Sequence, residues 1–243
     1  MELAVLGRYG PYPRIGGACS GYLVRQGQTQ ILVDCGAGVL ARLIAETELG
    51  ALDAVVLSHL HYDHCSDMGV LRYALEQLEK RGGCKLPLPV YAPKTPLDVH
   101  RLVEYPAFAP QAMADGQAAT VGELTLTFHA TEHPVETYAM RILGGGSTLF
   151  YTADTGYFDA LPALCRGADV LLADACYLDA DLSGNAPVHL TARQAGMLAK
   201  EAGVKRVLLT HLWGGADTVE AVQIEVDNAY AKVVQERGHY DIK

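Results

Sequence analysis

Apolar positions fall in two rhythms along this chain. Short runs in which almost every residue is apolar, such as Ala54-Val55-Val56-Leu57, Leu149-Phe150-Tyr151, Val170-Leu171-Leu172-Ala173 and Val207-Leu208-Leu209, read as strands of a buried sheet. Elsewhere the apolar residues recur at helical spacing, as Met68, Leu71, Leu75 and Leu78 do. In order, the pattern predicts strands at 3–6, 22–25, 30–33, 53–57, 88–91, 121–130, 137–143, 147–151, 170–173 and 206–209. Helices are predicted at 39–48, from the Met68 stretch to the glycine stop at Gly82-Gly83, at 96–103, at 191–202 and at 217–234. Thr95-Pro96 reads as an N-cap followed by proline at the first helical position. Gly144-Gly145-Gly146 reads as a hairpin turn, whereas 7–21 and 105–116 are rich in glycine or proline and read as loops. No linker or low-complexity tract interrupts residues 1–243, and the two halves echo each other. The pattern supports a single α/β or α+β domain.

The polar residues that break this pattern cluster at the C-terminal ends of the predicted strands, where layered α/β folds build their sites. After strand 53–57 comes Ser58-His59-Leu60-His61-Tyr62-Asp63-His64, with three imidazoles and a carboxylate in six residues. That set suits zinc, iron or manganese. His133 follows strand 121–130, with Pro134 holding the backbone extended. Asp154 follows strand 147–151, and His211 follows strand 206–209. Taken singly, each is as well explained as a turn or surface residue; the joint pattern points to a metal centre. Asp34, closing strand 30–33, is either a turn residue before Gly36 or the carboxylate that orients a ligating histidine.

His59-x-His61-x-Asp63-His64 resembles the HxHxDH signature of the metallo-β-lactamase superfamily. The resemblance implies a four-layer αββα sandwich. Carried over by position, it makes His59, His61 and His133 ligands of a first metal. Asp63, His64 and His211 would hold a second, and Asp154 would bridge them. The implied cofactors are two divalent ions, zinc or else manganese, sharing a water or hydroxide that becomes the nucleophile. His61 stands where the di-iron, oxygen-reducing branch has a glutamate, which favours hydrolysis.

Val188-His189-Leu190-Thr191-Ala192-Arg193-Gln194-Ala195 resembles the His-x-Thr-x-x-Gln-Ala motif of ribonuclease Z and its relatives. There the histidine assists departure of the leaving group and an acidic residue orients it. In this sequence Asp174 stands for the usual glutamate, one methylene shorter. The catalytic residues implied are Asp63, His189 and Asp174, although His189 and Thr191 also fit a loop residue and a helix N-cap. The long basic arm with which ribonuclease Z grips transfer RNA has no counterpart between 138 and 169.

Composition narrows the substrate. A formal net charge of −9 opposes tight nucleic-acid binding, which needs many phosphate contacts. The expected activity is therefore phosphodiester hydrolysis on a small molecule or nucleotide. The alternative is a lactone, ester or thioester hydrolase. Transfer RNA 3′ processing and a noncatalytic binding protein rank below both. The six cysteines form no CxxC pair and read as reduced, buried thiols. No signal peptide or run of about 18 apolar residues is present, so the chain reads as cytoplasmic, with no membrane partner. A homodimer is expected by analogy. The loop at 8–19 and the segment around Trp213 flank the expected pocket without naming a ligand.

Overall fold

The computed structural model describes residues 1–182, 187–213, 218–226 and 231–243. Its strands in chain order are β1 (Glu2–Gly7), β2 (Tyr9–Gly10), β3 (Gly21–Gln26), β4 (Thr29–Val33), β5 (Ala54–Val56), β6 (Leu88–Ala92), β7 (Phe108–Ala112), β8 (Ala118–Val121), β9 (Leu124–Ala130), β10 (Tyr138–Gly144), β11 (Ser147–Tyr151), β12 (Val170–Asp174), β13 (Arg206–Thr210), β14 (Leu212–Trp213), β15 (Ala231–Val233) and β16 (His239–Asp241). The helices are α1 (Val39–Glu46), α2 (Tyr62–Cys65), α3 (Met68–Lys80), α4 (Leu97–His100), α5 (Leu161–Cys165), α6 (Ala192–Ala202) and α7 (Thr218–Val226).

Two seven-stranded mixed sheets form, ordered β16-β1-β3-β4-β5-β6-β7 and β15-β13-β12-β11-β10-β9-β8. They pack face to face, and helices cover the outer faces, giving the αββα sandwich. Alternate residues of one strand serve different layers. Leu3 and Val5 point between the sheets, while Ala4 and Leu6 point toward α1 and α3. Leu149 and Tyr151 face the other sheet, while Phe150 faces α5 and α6. This double coverage is why the central strands are apolar at every position rather than at every second one. Each sheet begins as an antiparallel meander and continues as parallel strands, β4-β5-β6-β7 in one and β11-β12-β13-β15 in the other. Parallel pairing sends the C-terminal ends of successive strands to one rim, and the site lies there. Among the described residues no helix is long and apolar enough to cross a membrane.

Several elements depart from the sequence reading. Residues 108–112, expected as loop, form the edge strand β7. Pro110 is tolerated because an edge strand leaves one side of its backbone unpaired. The strand expected over 121–130 is a hairpin, turned at Gly122 with φ of 52°. Pro96 is the N-cap of α4 rather than its first helical residue, and the Thr95 hydroxyl instead donates to Glu136 Oε2 at 2.8 Å. Of the helix expected over 217–234, the described residues Thr218–Val226 are helical, whereas 231–233 pair in parallel with β13. Its positions 217 and 227–230 lie outside the described residues. Strand β16 was not predicted. Its pairing with β1 involves only three residues, Asp241, Tyr240 and His239, too few for an alternation to show.

Candidate metal centre

Five strand ends and two loops converge on one buried cluster. Strand β4 leads into Asp34, β5 leads into Ser58 and the His59–His64 loop, β11 leads to Asp154, β12 ends in Asp174, and β13 leads to His211. The β9–β10 connection brings His133, and the segment before α6 brings His189. Asp34, Ala153 and His211 adopt left-handed backbone, with φ of 57°, 53° and 54°. Such conformations are unfavourable for residues with a side chain and persist where surrounding structure imposes them. Here they turn the chain sharply off the strand so that Asp34, Asp154 and His211 enter the centre. Gly10 serves close approach, because a Cβ there would overlap the imidazole of His211.

Three imidazole nitrogens face one another in the first half of the cluster. His61 Nδ1 lies 3.1 Å from His59 Nε2 and 3.2 Å from His133 Nε2. The opposite ring nitrogens have partners. His133 Nδ1–H donates to the Val188 carbonyl at 3.0 Å. The Ser58 hydroxyl donates to Asp34 Oδ2 at 2.9 Å, so it accepts from His59 Nδ1–H at 3.0 Å. The Nε2 atoms of His59 and His133 therefore carry lone pairs directed at the same point. Burial, reinforced by the neighbouring imidazole of His64, keeps His59 well below the usual histidine range, and burial lowers His61 and His133 as well. Converging neutral imidazoles suit a soft or borderline divalent cation. Asp154 Oδ2, 3.5 Å from His59 Nε2, completes a four-residue group.

The second half is more acidic. His211 Nε2 lies 3.2 Å from both Asp63 Oδ2 and Asp154 Oδ2, and His64 Nε2 lies 3.4 Å from Asp154 Oδ1. His64 Nδ1–H donates to Asp34 Oδ2 at 2.8 Å. Both His64 Nε2 and Asp154 Oδ1 are buried and without a hydrogen-bond partner. Orphaned polar atoms of this kind call for an explanation, and a cation held between them is one the donor set fits. The electrostatics agree. Burial alone would depress His64, but the carboxylates of Asp154, Asp34 and Asp63 outweigh it and hold the imidazole near 10. Burial would raise Asp63, but His64 and His211 bring it down to about 2. His211 is likewise held up against burial, chiefly by Asp154.

His59, His61, Asp63, His64, His133, Asp154 and His211 are therefore all in one cluster. Asp154 faces both halves, as a bridging ligand would. His189 stands beside them: its ring stacks on His211 at 5.0 Å between centroids and meets His133 edge-on at 5.2 Å. Its Nδ1–H donates to Asp174 Oδ2 at 2.9 Å, so the shorter acid does reach it. Asp174 can do so because it is fully buried at a strand end and fixed by the N–H groups of Cys176 and Thr155 at 3.0 and 3.3 Å. Burial would lower His189, but Asp174 and Asp154 hold it raised. Thr191 is the N-cap of α6, with a capping box to Gln194; this anchors the chain two positions after His189. Asp34 takes the orienting role. Beyond Ser58 and His64 it accepts from the Tyr151 hydroxyl at 2.9 Å. Sequence reasoning missed Ser58, Tyr151 and Gly10. Only Ser58, adjacent to the histidine loop and itself a hydroxyl donor, carried a signal that could have marked it.

Among known families, the Beta-lactamase superfamily domain matches residues 29–212. The probable metallo-hydrolase YhfI of Bacillus subtilis is 39% identical over 213 residues, 87% of each chain. The crystal structure of YhfI superposes with a TM-score of 0.92 at 33% identity, covering 98% of each chain. Ribonuclease Z of Mycobacterium bovis is 29% identical over 243 aligned positions, 87% of this chain and 85% of the ribonuclease.

Proposed function

The chain belongs to the β-lactamase superfamily, and on that premise we propose that it is a metal-dependent hydrolase of small phosphodiesters of the nucleotide class, with two divalent cations, zinc in preference to manganese. His59, His61 and His133 would hold one cation and Asp63, His64 and His211 the other, with Asp154 between. When bound, such a pair neutralises phosphoryl oxygens and makes a water acidic enough to lose its proton near neutral pH. The remaining steps belong to side chains of this chain. The oxygen of the deprotonated water would bond to phosphorus, its proton having passed to solvent, as the bond from phosphorus to the leaving alcohol breaks; Asp63, held at about 2 by His64 and His211, would stay ionised as a ligand. The electron pair of that bond goes to the departing oxygen, which His189 protonates.

The observation that carries this reading is the Asp174–His189 pair at 2.9 Å beside the ligand cluster. Asp174 commits Nδ1–H, which fixes the tautomer, steadies the protonated ring and leaves Nε2 to exchange a proton. A phosphodiester expels an alkoxide and gains from such a donor. The reading for lactones or thioesters leaves the pair without an evident task. Small substrates are favoured over transfer RNA by the charge of −9 and by the tight turn joining β10 to β11 at Gly144 and Ser147, where no arm extends. The test is a panel assay of the zinc-loaded and manganese-loaded protein on bis-p-nitrophenyl phosphate, nucleoside phosphodiesters, lactones and thioesters. Metal-dependent turnover is expected on the phosphodiesters; turnover confined to lactones or thioesters would sink the proposal.

A further inference from the structure

On the His189 side of the centre lies a cavity of about 430 Å³, lined by Cys176, Tyr177, Leu178, Asp181 and Trp213. Its size is in the small-molecule range of about 300–1,000 Å³. Two links tie it to the chemistry. The Tyr177 ring meets the His189 ring edge-on, with centroids 5.2 Å apart. Cys176 Sγ lies within 4.8 Å of ring nitrogens of His189 and His211. The cavity therefore begins beside the group that, on the phosphodiesterase reading, would deliver a proton to the leaving oxygen, where the leaving half of a substrate would extend.

The lining indicates what that half is. Tyr177, Leu178 and Trp213 present apolar surface. Trp213 remains 44% exposed, although the Tyr12 ring packs edge-on against it at 5.9 Å. Among the described lining residues Asp181 is the single formal charge; its Oδ2 accepts Leu178 N–H at 2.8 Å, and a carboxylate retains acceptor capacity after one such bond. A negative wall rejects a second phosphate and accepts hydroxyl or amine donors. Resting on the phosphodiesterase reading, we propose that this cavity seats a planar aromatic ring on the leaving half, as a nucleoside carries, laid against Trp213 and Tyr177, with Asp181 accepting from a hydroxyl or amine. Stacking of a base on an aromatic side chain corresponds to roughly 5- to 150-fold in affinity on removal of the side chain.

Trp213 is the only tryptophan in the chain, so its fluorescence reports this cavity alone. With metal-loaded protein, adenosine should quench it saturably and ribose should not, and Tyr177→Ala should weaken the adenosine response. In parallel, kcat/KM is compared for adenosine 3′,5′-cyclic phosphate and for the same cyclic phosphate on 1-O-methylriboside, which lacks only the base. The base should raise kcat/KM by roughly 5- to 150-fold, mainly through KM. Trp213→Ala should bring the ratio to about one and Trp213→Phe should preserve most of it. Equal rates on the two cyclic phosphates, or a ratio unmoved by Trp213→Ala, would overturn the ring site while leaving the phosphodiesterase intact. Saturable quenching by adenosine with neither compound hydrolysed would do the reverse. Quenching by n-hexanol as strong as that by adenosine would show a general apolar pocket and overturn the proposal.

Discussion

Asp34 and Asp174 play matching parts on opposite sides of the centre. Each is fully buried, stands at a strand end, and spends one carboxylate oxygen on a histidine Nδ1–H, His64 in one case and His189 in the other. What differs is the task of the histidine. On the proposed reading His64 is a ligand, so Asp34→Asn should weaken binding of one cation by about 10–100-fold, the usual cost of losing an orienting partner; competition against a chromophoric chelator measures it, and unaltered affinity at both sites would remove Asp34 from the role. On the same proposed reading His189 gives a proton. His189→Ala should therefore slow a phosphodiester with an alkyl leaving group by about 10²–10⁴-fold. A p-nitrophenyl ester should lose far less, because p-nitrophenolate departs unprotonated, and metal content should not change. Asp174→Asn should show the same selectivity in weaker form. Equal losses on both substrates would mean that His189 serves binding or structure. The residue types of both pairs were visible in the sequence. The left-handed backbone at Asp34, Ala153 and His211 was not, because no local pattern announces a conformation that distant packing imposes.

At the scale of elements, the position of the centre was legible because it depends on strand ends, and the central strands are apolar on both faces and hard to misread. The elements that escaped are those whose pairing is decided elsewhere. Strand β7 contains a proline that only an edge can hold, and β15 was absorbed into a helical pattern although it pairs with β13. Strands β2 and β14 are two residues each, pairing Leu212 with Tyr9 and Trp213 with Gly10. That small ladder clamps the N-terminal loop over His211, since Gly10 presses on its ring. Gly10→Ala should push the imidazole off its position and leave the first-half ligands His59, His61 and His133 in place. Metal analysis after reconstitution should then fall from two ions toward one per chain. Full loading would mean that the ladder yields and the close approach has no function.

Across the whole molecule, the three apolar cores lie between and outside the sheets, while the ligands gather at one rim of the sandwich. Metal loss should therefore cost activity before it costs the fold. The centre still concentrates four buried carboxylates, Asp34, Asp63, Asp154 and Asp174, in a chain already carrying −9, and cations offset that repulsion. Protein purified without chelator and reconstituted should bind two divalent ions per chain. At free metal 100-fold above Kd, each site adds about 2.7 kcal/mol to stability. With about 2–4 °C per kcal/mol for a chain of this size, emptying one site should lower Tm by roughly 5–11 °C. Far-UV circular dichroism of the chelated protein should keep its native shape below that transition. Saturation at a single ion would refute the dinuclear centre, and an unfolded spectrum on chelation would show that the metals help to build the sandwich as well as to arm it.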